Sequence, residues 1–158
     1  MQIQQLFSMA MTTIIGSMLF IVFLFLSGIH IYWGLGGKWG ADAAIPAKDG
    51  SEKKLMNPGL FQCFVVAFAL LCFGIFSLIR AGIISSNLPA WLLDYGLWII
   101  AALFFLRSIG EFKYVGFFKK VNNTKFAKND TKYYSPLCLT IAVSAAVLEL
   151  INSHCLNH

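Results

Sequence analysis

Four long apolar runs constrain this chain more than anything else in it: Leu6–Trp33, Leu60–Ile79, Leu88–Leu106 and Leu137–Ile151. A helix needs about 20 apolar residues to cross a hydrocarbon core of about 30 Å. The runs therefore predict an all-α fold, an integral membrane bundle of four transmembrane helices forming one domain over residues 1–158. A soluble bundle with a large core is the alternative. It would keep a charged stripe on its helices, and Ile14–Ile31 has no charged stripe at all. Overall, 58% of the residues are hydrophobic and 12% charged, against about 45–50% and about 25% in soluble domains.

The boundaries have local causes. The first run, at about 1.5 Å per residue, is about 42 Å long and must tilt or protrude. Gly34, Gly36, Gly37 and Gly40 end it, since glycine is a poor helix former. The second run enters after Asn57-Pro58 and leaves at Arg80-Ala81-Gly82; the third follows Asn87-Leu88-Pro89 and stops at Arg107. Ser135-Pro136 reads as the entry of the fourth, with serine as N-cap and proline at the first helical position. Tyr133 and Tyr134 then suit the headgroup level. Ala41-Asp42-Ala43 resembles a cleavage site, but no Lys or Arg precedes the first run, and that run is too long for a cleaved leader. An uncleaved span is expected.

Charge placement sets the threading. Eleven of the twelve basic residues fall in the loops 34–59 and 107–135, and Arg80 alone falls on the other side. The positive-inside rule puts those two loops in the cytoplasm and both termini outside, as in a bacterial inner membrane. The sequons beginning at Asn122 and Asn129 then lie in the cytoplasm and read as chance matches. The net charge of +5 is a topology signal of this kind, and nucleic-acid binding is not indicated. Cys63, Cys72 and Cys138 lie within apolar runs and form no Cys-x-x-Cys pair; they read as small hydrophobes. Cys155 reads as a free thiol. No metal set and no cofactor is read.

Polar groups at the membrane edge are the candidates for function, because burying them in lipid is costly. Phe20, Phe23, Ser27, His30 and Gly34 share a helical face. His30 is a candidate proton carrier or ligand contact; the plainer alternative is a bond to a backbone carbonyl or a neighbouring helix. His154 and His158 fall on the far side, so no bis-histidine haem pair forms. The run His30–Gly40 mixes Tyr32, Trp33 and Trp39 with four glycines; it lacks a nucleotide-loop pattern and reads as an interfacial turn. Arg107 and Glu111, at i and i+4, are placed to pair on a continuing helix, where an anionic headgroup would find Arg107. Glu149 lies on a seam of small residues with Cys138, Ala142, Ala145, Ala146 and Asn152. With Asp94 and Arg80 it is expected to form a cluster near the outer surface. No nucleophile elbow, zinc-protease helix or kinase signature is present.

His30-x-Tyr32-Trp33-Gly34-Leu35-Gly36-Gly37-Lys38-Trp39-Gly40, followed by Ala44-Ile45-Pro46, resembles the opening signature of a family catalogued as domain of unknown function 3995. The stretch Arg107–Lys120 and the pattern Phe126-Ala127, Asp130, Tyr134–Leu137 resemble its later half. The resemblance implies a small bacterial multi-pass membrane protein and supplies no activity. The residues and the resemblance together suggest a ligand-binding mouth on the cytoplasmic face, with His30, Trp33, Arg107 and Glu111 as its candidate residues. The expected ligand is a lipid or other amphipathic molecule, and a second copy or a membrane partner is a further expectation. The rival readings are an oligomeric transporter of small solutes or ions, and an enzyme acting on a lipid or quinone. A reporter fused after His158 is expected to behave as exported. Cytoplasmic activity of that fusion reverses the threading.

Overall fold

The computed structural model describes residues 2–40, 59–110, 115–119 and 124–156. It is all-helical among those residues, with four helical stretches long and apolar enough to cross a membrane. They are α1 (Gln2–Gly34), α2 (Leu60–Arg80), α3 (Ala90–Ile109) and a final stretch in three parts. In that stretch a short α4 (Lys125–Asn129) runs through a π turn (Asp130–Tyr134) into α5 (Ser135–Leu156). Ala41–Ala43, Asn122, Glu111 and the side chains of His154, Cys155 and His158 lie outside the description.

The helices alternate in direction. One end of the bundle gathers Gly34, Leu60, Ile109 and the π turn; it is called the basic end for its loops. The opposite end gathers Arg80, Ala90 and Leu156. At the basic end α1 stops where Gly36 takes φ 91°, a left-handed conformation open to glycine at no steric cost. The chain then folds back, and the Trp33 indole N–H donates to the Trp39 carbonyl at 2.9 Å. The glycines that close the run were legible in the sequence; the fold-back was not.

A regular α-helical segment does begin at Ser135, but the reading of Ser135 as its N-cap is corrected, since Ser135 continues a helical stretch. The helix starts ten residues earlier, where the Thr124 hydroxyl accepts from the Ala127 N–H at 3.1 Å. Proline lacks an N–H, and its ring presses on the carbonyl one turn back. The wide turn immediately before Pro136 relieves that pressure: the Ser135 N–H reaches back five residues to the Asp130 carbonyl. Proline here marks a bulge inside a helix.

Lipid gives apolar helices no hydrophobic reason to associate, so close packing has to do it. Between α1 and α2, small residues let the two backbones approach closely. The Ser27 hydroxyl donates to the Ala67 carbonyl at 2.8 Å across the interface. A Cβ on Gly16 would meet the Ala81 side chain and sit 2.9 Å from the Ser77 carbonyl oxygen. Midway along, Phe23 is fully buried and its ring lies 5.9 Å from Phe73 and 5.4 Å from Phe104. Those rings tie α1, α2 and α3 together in tilted, edge-on arrangements that favour aromatic pairs. Leu97, Ile100, Ile141, Ala145 and Leu148 complete the core from α3 and α5.

Gly16→Ala is expected to cost about 1–3 kcal/mol through overpacking. Gly28→Ala, in the same helix with nothing within 4 Å of the added carbon, is expected to be neutral or slightly stabilising. Thermal unfolding of both proteins in the same detergent checks the contrast. Equal midpoints would remove the α1–α2 contact from the account.

Candidate functional site

Polar side chains concentrate at the two ends of the bundle. At the opposite end, the Arg80 guanidinium grips Glu149 with both arms: Nη2 to Oε1 at 2.7 Å and Nε to Oε2 at 3.2 Å. Their side chains are only 11% and 5% exposed. The Asn152 amide donates to the Arg80 carbonyl at 2.9 Å, satisfying an acceptor that the end of α2 leaves without a helical partner. Arg80 and Glu149 thus meet as their spacing predicted. Asp94 is exposed, within electrostatic reach of Glu149. A two-armed, nearly buried ion pair between two helices is a helix clamp.

The basic end is built differently. The π turn carries Asp130 inward until it is completely buried. Its Oδ2 accepts the Gly116 N–H at 2.7 Å and the Lys119 ammonium at 3.1 Å; its Oδ1 accepts from Arg107 Nη2 at 3.1 Å. Lys119, 1% exposed in its side chain, donates also to the Gly116 carbonyl at 3.0 Å and to Thr131 Oγ1 at 2.6 Å. Burying a carboxylate costs several kcal/mol, and only donors of this quality offset it. Gly110 and Gly116, at φ 79° and 92°, let the loop double back. A Cβ on either would strike the other's neighbouring carbonyl, at Val115 or Ile109, and the Phe117 N–H reaches Ser108 O at 3.0 Å.

The four residues expected to line one mouth fall as follows. His30 Nδ1 lies 2.8 Å from the Leu26 carbonyl of its own helix, and its ring stands 5.3 Å from Trp33, edge to face. Arg107 belongs to the Asp130 cluster. Helix α3 stops at Ile109, two residues before Glu111, and Glu111 lies outside the described residues. Among the described residues no hydrogen bond, ion pair or ring contact joins the His30–Trp33 pair to Arg107. The structure adds a groove of about 470 Å³ beside that pair, on the outward face of α1, lined by Phe25, Gly28, Ile29, Tyr32 and Trp39.

Sequence reasoning passed over Asp130 and Lys119. Asp130 lies in a lysine-rich stretch, where nothing local singles out an acid. One signal was present: Phe126, Ala127, Asp130 and Tyr134 keep a helical period upstream of Pro136, and Asp130 falls on its apolar side. Chemically, the cluster can hold charge and offer hydrogen bonds. Among the described residues no three His, Cys, Asp or Glu side chains converge as a metal set would.

Four apolar helices long enough to cross a membrane, with charge confined to their ends, define a multi-pass membrane type of protein. Within that class, the chain belongs to the family described as Protein of unknown function (DUF3995), which matches residues 23–145. No curated protein and no solved structure matches it.

Glu149→Ala leaves Arg80 buried without its partner, and Asp130→Ala does the same to Lys119. Each is expected to cost about 3–5 kcal/mol. Unfolding midpoints in detergent, with Asp94→Ala as the exposed control, check the order. A midpoint for Asp130→Ala equal to that of the control would mean the cluster holds nothing together.

Proposed function

We propose that this protein holds a lipid or other amphipathic molecule at its basic end, and that this end faces the cytoplasm. The observation that carries the reading is the groove on α1. It runs along the outward side of a helix that crosses the membrane, so its floor of Phe25, Gly28 and Ile29 is level with acyl chains. Its rim is Tyr32 and Trp39, rings with an apolar body and a polar tip that favour the headgroup boundary. Tyr32 and Trp39 are held together there, since the Trp39 N–H donates to the Tyr32 hydroxyl at 3.4 Å. A chain lying on Gly28 would contact backbone with no side chain in the way.

His30 and Trp33 occupy the same turn of α1 as this rim, and Arg107, 37% exposed in its side chain, offers a cation at the same end. Glu111 follows Arg107 in the chain and belongs to the same proposed mouth. Anionic headgroups are drawn to the cytoplasmic leaflet's basic segments, and eleven of the twelve basic residues lie in these loops. Transport through a single copy is the weaker reading, because Phe23, Phe73 and Phe104 fill the middle of the bundle.

Gly28→Leu puts a side chain into open space and fills the groove without disturbing the helix contacts. Native mass spectrometry from mild detergent is expected to show bound lipid on the parent protein and a loss of it on Gly28→Leu, with unfolding midpoints unchanged. An undiminished lipid complement on the filled variant would overturn the groove as the binding surface.

A further inference from the structure

The Asp130 cluster leaves one cationic arm unspent. Two cations, Arg107 and Lys119, share one buried carboxylate among the described residues. Arg107 gives Nη2 to Asp130, while its Nη1 is buried and has no partner among the described residues. The Ser135 hydroxyl is likewise fully buried and has no partner among the described residues. A serine in an ordinary helix can bond the carbonyl one turn back; the π turn before it displaces that arrangement. Ser135 lies one wide turn beyond Asp130, with its N–H on the Asp130 carbonyl, and Asp130 is the residue that Arg107 binds. Helices α3 and α5 pack directly on each other, which brings this face to the end of α3 where Arg107 sits.

We propose that Arg107 Nη1 and the Ser135 hydroxyl form a site for a phosphate-class oxyanion, either a lipid phosphate headgroup or a free phosphate. A planar guanidinium presents donors in a fork that matches tetrahedral oxyanions. The ion would accept from the two buried donors that have no partner among the described residues. Asp130 holds the guanidinium in place by its other arm, and Lys119 holds Asp130; both are positioning residues. The partly exposed side of Arg107 leaves an approach from the headgroup layer. This deepens the lipid reading by naming the headgroup chemistry, and it rests on that reading only in placing this end at headgroup level.

The test uses the full-length protein in neutral detergent at high salt, which screens the surface lysines. Thermal-shift titrations employ two probes, inorganic phosphate and short-chain phosphatidic acid, with short-chain phosphatidylcholine as reference. Saturable stabilisation by both acidic probes is expected for a site open to any phosphate, and stabilisation by phosphatidic acid alone for a lipid headgroup site. Arg107→Lys keeps the charge and loses the fork, and is expected to weaken binding about tenfold or more. Ser135→Ala removes one oxygen and is expected to weaken it severalfold while the protein remains folded. Binding equal to the parent's in both variants, or no acidic probe exceeding the reference, overturns the proposal. The groove fails separately: lipid retained on Gly28→Leu leaves this site standing, and phosphate binding indifferent to Arg107 leaves the groove standing.

Discussion

Hydrocarbon cannot hydrogen-bond a peptide group, so every backbone N–H and C=O that enters it must be satisfied within the helix that carries it. The rest of this structure follows from that constraint. It makes each apolar run helical, and it leaves the helices without a hydrophobic reason to associate. Association then depends on how closely backbones can approach, which is why Gly16 faces Ser77 and Ala81 across the α1–α2 interface. Polar side chains inside the span spend their hydrogen bonds on helix carbonyls: Thr12 on Met9, Ser27 on Ala67, Ser77 on Phe73.

Charge obeys the same constraint by moving to the ends, where two clusters do different work. Arg80 and Glu149 form a closed unit: two charges, two arms, and a carbonyl satisfied by Asn152. It fastens α2 to α5. Asp130 sits at the junction of a helix end, a doubled-back loop and a π turn, and it draws Arg107, Gly116 and Lys119 onto one carboxylate. That cluster also ties the end of α3 to the start of the last helical stretch. It also has two buried groups without partners among the described residues, Arg107 Nη1 and, nearby in the chain, the Ser135 hydroxyl.

The two surfaces at the basic end are physically complementary. One is an apolar groove on the outward face of α1 with aromatic rings at its rim. The other is a guanidinium on α3, pinned by a buried acid. An amphipathic molecule offers both kinds of partner, an acyl chain and a charged head. π turns inside helices recur at functional positions because they widen the helix and redirect side chains. Here the widened turn is what carries Asp130 to the interior.

How much was legible follows from which interactions are local. The spans, their glycine and proline punctuation and the lopsided lysines are readable because hydropathy and loop charge act residue by residue, without reference to partners. Helical spacing also placed Glu149 on a small-residue seam, and the matching ends of two helices brought it to Arg80. The same reasoning put Ser135-Pro136 at a helix entry, because proline's local preference is for a first turn; only the preceding chain, held by Asp130, allows it inside a helix. Asp130 went unremarked as a site residue, because a carboxylate among lysines is ordinarily surrounded by water. Its burial depends on donors 14 and 23 residues away along the chain, a distance that periodicity does not span. The sequence by itself therefore determined the solvent, the number of crossings and the likeness to a family. Tertiary structure decided which charges are spent and which remain available, because hydrogen-bond satisfaction depends on groups that meet only after folding.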